Sequence, residues 1–484
     1  MTFAGITERV RCHPYLCTLL LLQAAAFLLF AGTFGNAWTY DDFPVIVNNP
    51  DVRSWSNFWQ DHLHGRPLRE LSFLLDHALF GMQPAGWHLQ QIFWHGLNAF
   101  LLAALLLRLA QPAGVALLAG GLFLAHPLTV EVVANLSHRK DSLVLAFLLL
   151  AVHAWLQVLR SPRRWWWLAA MFLCWGVALL AKENAVVLPA LLLALEMFVM
   201  QPEERFLARS LRACLATAGV LVAAGIGYFF YAGGMAAFGR AGQYVLSKLN
   251  VLGEFSLATY LLVLLKSWLF MWLKLVAPVG LAVEYTYPVP GALFDPWVLA
   301  ALLLLVALPV LIFLCARKAP LVALGLSWFV LFFAPVANLW PDVYFAADRY
   351  LYAPLTGVAM TAAWALWQLR ERWRAMATGL AFTVLVLLAV LTWRQARVWV
   401  DEAALWHRAV EVSPDSVYAL NNLGVIYGRQ KDMQRALELI TRAAANPYYR
   451  EAQENMARLH ARLGNAEEAK RYQQRAQNPH AAPR

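Results

Sequence analysis

The chain has 484 residues, of which 61% are hydrophobic and 14% charged, and its mean hydropathy is +0.53. Soluble domains carry roughly a quarter of charged residues, so this composition excludes an ordinary soluble enzyme. The net charge of +10 does not imply a nucleic-acid partner, because surplus Lys and Arg in a membrane protein mark cytoplasmic loops.

About 20 apolar residues cross a bilayer. Stretches of that kind fall near 15–34, 88–110, 112–128, 142–159, 165–181, 184–200, 211–231, 256–276, 296–315, 320–337, 351–368 and 376–393. The first follows Arg9 and Arg11, has no small-residue cleavage site, and reads as an uncleaved signal anchor. Cys12, Cys17, Cys174, Cys214 and Cys315 lie at or near these stretches, so no disulfide framework is expected.

Orientation follows from the basic segments "RSPRR" (160–164), "EERFLARSLR" (203–212), "ARK" (316–318) and "RERWR" (370–374), which belong in the cytoplasm. Alternation places all of them there only if 256–276 does not cross. That stretch carries Lys266 and Lys274 and is followed by Pro278, so it reads as re-entrant or interfacial. The expectation is eleven crossings with the N-terminus inside and the C-terminus outside. Nearly every acid near a membrane boundary then lies outside, and so does any chemistry.

The first outer loop, 36–87, opens with "WTYDDFPVIVNN". Asp41 and Asp42 stand at the mouth of the first span, between Tyr40 and Phe43. A carboxylate at the lipid–water boundary can act as general base toward a hydroxyl, and a pair of acids can also hold a divalent cation. Further along, Leu68, Leu71, Leu74, Leu75, Leu79 and Phe80 recur at helical spacing while Arg69, Glu70 and Asp76 lie on other faces. That pattern predicts an amphipathic helix in the interface plane.

Other candidates fall on the same side. "SHRKD" brings His138, Arg139, Lys140 and Asp141; "AKEN" brings Lys182 and Glu183; "RYLY" brings Arg349 and Tyr352. Fixed cations suit phosphate recognition, although a cation at a membrane boundary can also snorkel to lipid headgroups. His88 and His95 share one face of the second span, where hydrogen-bonded buried histidines are as good an explanation as ligands. No P-loop, GxSxG, HExxH or metal-spaced Cys/His cluster occurs.

After about residue 395 the sequence becomes charged and Ala-rich. "SVYALNNLGVIYGRQKDMQRALELITRAAANPYY" (416–449) has the spacing of a tetratricopeptide unit. Leu423 and Met456, Asp432 and Asn465, Ala436 and Ala469, and Pro414 and Pro447 are each 33 positions apart. Arrays this short bury little core alone, so the tail is expected to lean on, or be capped by, the rest of the chain. Its role is either a docking surface for an acceptor or a stabilising cap.

The motifs "YDDFPVIVNNPDV", "GRPL", "LDHALFGMQPAGWHLQQIFWHGLNA", "HPLTVEVVANLSHRKD", "AKENAVVLP" and "ADRYLYAPL" occur in this order. Together they resemble the transmembrane-and-tetratricopeptide O-mannosyltransferases and their bacterial relatives, within the GT-C superfamily of glycosyltransferases. The resemblance implies an all-α polytopic membrane fold: a GT-C-like transmembrane domain over 1–395 and helical repeats over 396–484. It implies a polyprenyl-phosphate-linked sugar as donor, Asp42 or Asp41 as catalytic base, and Arg349, Lys182 and Arg139 around the donor phosphate. Tyr40, Glu183, His88, Tyr352 and Arg66 are then candidates for substrate contact. Metal is left open, with Asp41 and Asp42 the only candidates.

The expected activity is inverting transfer of the sugar to a hydroxyl, on Ser or Thr of an exported protein docking on the tail. Transfer to a lipid or envelope glycan and a non-catalytic scaffold are the alternatives. A bias toward Leu, Ala, Trp and Arg fits a bacterium of high GC content, with the acid-bearing loops and tail in the periplasm.

Overall fold

The computed structural model describes residues 14–61, 66–200, 234–248, 256–341 and 344–477. Among them all regular structure is helical. The first helices are α1 (Pro14–Phe30), α2 (Trp55–Asp61), α3 (Pro67–Phe80), α4 (Pro84–Arg108), α5 (Ala113–Ala125), α6 (Val130–Ala134), α7 (Arg139–Arg160), α8 (Arg164–Ala181) and α9 (Leu188–Phe198). Then come α10 (Gly234–Lys248), α11 (Leu257–Val276), α12 (Pro296–Lys318), α13 (Pro320–Phe333), α14 (Leu355–Arg372) and α15 (Arg374–Ala396). The tail holds α16 (Glu402–Val412), α17 (Val417–Arg429), α18 (Met433–Ala444), α19 (Arg450–Arg462) and α20 (Ala466–Gln477).

This is an all-α polytopic membrane protein. Among the described residues seven helices are long and apolar enough to cross a bilayer: α1, α4, α7, α8, α11, α12 and α15, some with short extensions. An eighth is added if α5 and the segment Pro127–Ala134, bent by 56°, count as one span. The expected eleven crossings are not found among these residues, for identifiable reasons. The stretch 184–200 forms α9, of 11 residues, which rises only about 16 Å. The stretch 320–337 gives α13, of 14 residues. In 351–368 the helix begins late, at Leu355, and ends on Arg370, Glu371 and Arg372. The expected span 211–231 lies outside the described residues, as do Arg9, Arg11, the basic run 203–212, Cys12 and Cys214. Among the described residues no disulfide joins Cys17, Cys174 and Cys315.

The stretch 256–276, expected to be re-entrant or interfacial, is helical throughout, one continuous helix of 20 residues. Its lysines do not interrupt it because backbone carbonyls satisfy them: Lys266 Nζ donates to Pro288 O, and Lys274 Nζ donates to Val279 O and Gly280 O.

The chain divides into two units. One comprises 1–218, 306–336 and 349–400; the other comprises 219–305, 337–348 and 401–484. In the first, α4 packs on α1, α5 and α7, and α14 packs on α5 and α13. The α13–α14 approach is set by glycines. A Cβ on Gly357 would sit 2.1 Å from the Gly325 carbonyl oxygen, the small-residue contact by which membrane helices associate. Helix α3 is amphipathic as expected: Leu71, Leu75 and Leu79 are exposed, whereas Arg69, Glu70 and Asp76 are buried. Its apolar stripe faces outward, as suits a helix lying against lipid.

In the second unit, α17–α18 and α19–α20 pack as consecutive helical pairs. Gly424 permits the first pair to close, since a Cβ there would meet Ile440 at 2.5 Å. Ser416 and Asp432 cap α17 and α18 by accepting from Ala419 N and Arg435 N. The tail leans on the segment 281–286. Thr286 N donates to Ser413 Oγ at 3.0 Å, Ser413 Oγ donates to Glu284 O at 3.2 Å, and Arg408 Nε donates to Leu281 O at 3.3 Å.

Candidate active site

The acid-bearing loop is fixed from below. Ile46, Val52, Phe73, Trp87 and Leu136 form a buried apolar cluster against which Trp38 packs, its ring edge-on to Trp87 at 5.3 Å. Ala37 N donates to Val400 O at 2.9 Å, tying the start of the loop to the end of the α15 segment. Tyr40 holds a left-handed backbone, φ 52°, a conformation that non-glycine residues adopt at some energetic cost and that clusters at functional sites. It turns the chain so that Asp42 points inward.

Asp42 is buried, 1% exposed. One carboxylate oxygen accepts from Ser137 N at 2.8 Å and the other from Thr39 N at 3.2 Å. Burial raises its pKa from 3.8 to about 7, against the lowering pull of those two amides; Asp41 adds to the rise and Arg139 opposes it. A carboxyl poised near neutrality is suited to taking a proton. Asp41 is half-buried beside it.

The segment 131–141 gathers the remaining charges. Glu131, 2% exposed, accepts from Arg349 Nη1 at 2.5 Å and Arg349 N at 2.9 Å, and its Oε1 lies 3.5 Å from His138 Nε2. Asp141 accepts from Lys182 Nζ at 2.7 Å. Arg349, Lys182 and Asp141 line one cleft with Asn184, Tyr350 and Tyr352, of about 20 Å³, room for about one water. Two of the three predicted phosphate ligands therefore share a cleft. Any phosphate entering it has to displace the carboxylates that now hold them.

Arg139 is elsewhere. It is fully buried, paired with Asp76, and also donates to Gln90 Oε1, Gln91 Oε1 and the Trp87 carbonyl. Its guanidinium lies 4.9 Å from the Phe73 ring centroid. Burial lifts Asp76 to about 6, opposed by Arg139, so at neutral pH the pair is charged. Arg139 does not join Arg349 and Lys182 in the cleft: this side chain ties α3 to α4 and α7, and its charge opposes the rise in the Asp42 pKa.

Tyr352 joins a buried polar row on α4. His95 Nε2 lies 3.2 Å from Leu124 O and must donate there, so Nδ1 accepts from Tyr352 Oη at 3.0 Å, and Asn98 Nδ2 donates to that oxygen at 3.2 Å. This makes Tyr352 a strut at the cleft wall. His88 is 1% exposed, and neither ring nitrogen finds a partner among the described residues. Arg66 pairs with Glu183 at 3.2 Å on the exposed side.

The residues do not fit a metal ion. Among the described residues no group of three or more His, Cys, Asp or Glu is arranged to hold one, and both Asp42 oxygens face amide N–H groups. Glu131 and Asp76 went unnoticed as site residues in the sequence. Their signal was an ionisable residue inside an otherwise apolar run, which at membrane depth marks function or an internal pair.

Residues 73–229 match the family model "Dolichyl-phosphate-mannose-protein mannosyltransferase". The chain is 34% identical over 190 residues to Protein O-mannosyl-transferase Tmtc2 of Drosophila melanogaster, covering 35% of this chain and 20% of that protein. It is 25% identical over 444 residues to a protein O-mannosyl-transferase of Caenorhabditis elegans, covering 85% of this chain and 60% of the relative. With Protein O-mannosyl-transferase TMTC4 of Mus musculus the identity is 25% over 485 residues, covering 87% and 65%. The chain thus spans between 20% and 65% of the length of these relatives. No solved structure matches it.

Proposed function

We propose that this chain, related through residues 73–229 to the dolichyl-phosphate-mannose-protein mannosyltransferases, is an integral-membrane inverting glycosyltransferase. It moves a sugar from a polyprenyl-phosphate donor to a hydroxyl of Ser or Thr. The observation that carries this reading is Asp42: a buried carboxyl with pKa near 7, fixed by two amides and anchored to the segment whose acids hold two cleft-lining cations.

In the proposed step the Asp42 carboxylate takes the acceptor hydroxyl proton as that oxygen bonds to the anomeric carbon. The bond from that carbon to the phosphate oxygen breaks, and its electron pair leaves with the polyprenyl phosphate. Attack opposite the leaving group inverts the configuration. Arg349 and Lys182 stabilise charge gathering on the departing phosphate, the kind of electrostatic term that is commonly the largest in catalysis. Asp41 orients the acceptor. Glu131 and Asp141 hold the two cations until the donor arrives.

The acid-bearing loops and the helical tail belong on the non-cytoplasmic side, which in a bacterium is the periplasmic face of the inner membrane. There the tail offers an exported polypeptide a place to dock. The test is transfer from a radiolabelled polyprenyl-phosphate mannose to a Ser/Thr peptide by purified protein. Asp42→Asn is expected to reduce turnover by about 10³-fold with helical content and thermal unfolding retained; full turnover by that variant would refute the assignment. Label appearing in glycolipid instead of peptide would move the acceptor to a lipid or envelope glycan.

A further inference from the structure

Along the first unit a furrow runs between three helices. Leu21 to Leu29 of α1, Leu117 to Ala125 of α5 and Phe382 to Ala389 of α15 line an open apolar groove of about 720 Å³. Eight residues of helix rise about 12 Å, so the groove is elongated along the bundle. A second hollow of about 400 Å³ shares Leu118 with it and is lined by Gly114, Trp367, Arg370 and Arg374.

The basic end of this furrow is well defined. Arg370 lies 4.4 Å from the Trp367 ring centroid. Gly114 makes room for that ring, since a Cβ there would fall 2.0 Å from it. Among the described residues no carboxylate pairs with Arg370 or Arg374. The other end of α15 is at the acid side: Thr392 donates to Ala125 O, and Val400 holds the loop that leads to Asp42. Arg374 is 18 residues from Thr392 on one helix, about 27 Å, so the basic end of the furrow is distinct from the proposed donor site.

We propose that this furrow is a binding site for one anionic glycerophospholipid of the leaflet on the basic side. An acyl chain lies along the leucines of α1 and α5, and the phosphate sits between Arg370 and Arg374. Charge complementarity selects this occupant. A zwitterionic lipid brings its own cation to the phosphate, whereas two unpaired guanidinium groups between helices recognise net negative charge. The inference does not depend on the catalytic reading, because the two arginines that would hold the phosphate lie at the end away from Asp42.

Native mass spectrometry of the delipidated full chain in detergent tests it, with phosphatidylglycerol, phosphatidylcholine or polyprenyl phosphate added in turn. Wild type is expected to retain one phosphatidylglycerol in preference to phosphatidylcholine. Arg370→Gln/Arg374→Gln should lose about 30-fold of that preference, whereas Arg163→Gln/Arg164→Gln, basic but off the furrow, should keep it. Ala25→Trp, which fills the groove, should weaken retention of both phospholipids. Equal retention of the two phospholipids, an unchanged preference in Arg370→Gln/Arg374→Gln, or displacement of phosphatidylglycerol by equimolar polyprenyl phosphate would each overturn the proposal.

Discussion

The two ends of the first unit use charge in opposite ways. Helices α4, α7 and α15 each run from one end to the other. At the acid end Arg139–Asp76, Lys182–Asp141 and Arg349–Glu131 are all buried pairs, and Asp42 lies among them. At the other end Arg160, Arg163, Arg164 and Arg374 are exposed. A buried pair is expensive to desolvate and is strongly destabilising when one partner is removed; an exposed arginine is screened and contributes little. Charge at the acid end is therefore buried and paired, and at the basic end exposed.

The largest test of this contrast compares Arg139 with Arg163. Arg139→Ala leaves Asp76 buried without its partner and should lower stability by about 3–5 kcal/mol, with transfer lost alongside. Arg163→Ala should fall within about 0.5 kcal/mol of wild type. Thermal unfolding in detergent reads both, and similar losses for the two would break the comparison.

A smaller effect is expected within the bundle. Gly357→Ala forces a methyl onto the Gly325 carbonyl and should cost about 1–3 kcal/mol. Gly379→Ala, where nothing lies within 4 Å of the added atom, should not destabilise. The smallest concerns catalysis: Arg163→Gln/Arg164→Gln should leave kcat within about twofold, because screened charges that far from Asp42 have little influence. A large drop would mean the two ends are coupled.

Much of this was legible in the sequence, and the parts that were not share a cause. The position of the Asp41–Asp42 pair after an apolar run made those residues conspicuous, and the leucine spacing of α3 gave both the helix and its lipid-facing stripe. What the sequence hides is who pairs with whom. Arg139 reads as a free cation in "SHRKD" because Asp76 is 63 residues away. Glu131 is concealed in "HPLTVEVVANL", where its apolar neighbours suggest core. For Lys266 and Lys274 the hidden part is the carbonyls that accept their hydrogen bonds, which come from a later segment.

The most direct test of Asp42 as the base is the pH dependence of kcat/KM for transfer to peptide. Burial raises this carboxyl, so the folded protein holds a proton that the unfolded chain releases near pH 4, and stability falls as pH rises from about 4 to 7. Activity requires the deprotonated form and moves the opposite way. The account predicts a rise of about tenfold per pH unit up to about pH 7 and a plateau above it, with no such step in the residual activity of Asp42→Asn. A flat profile between pH 5 and 8, or the same step in Asp42→Asn, would contradict it.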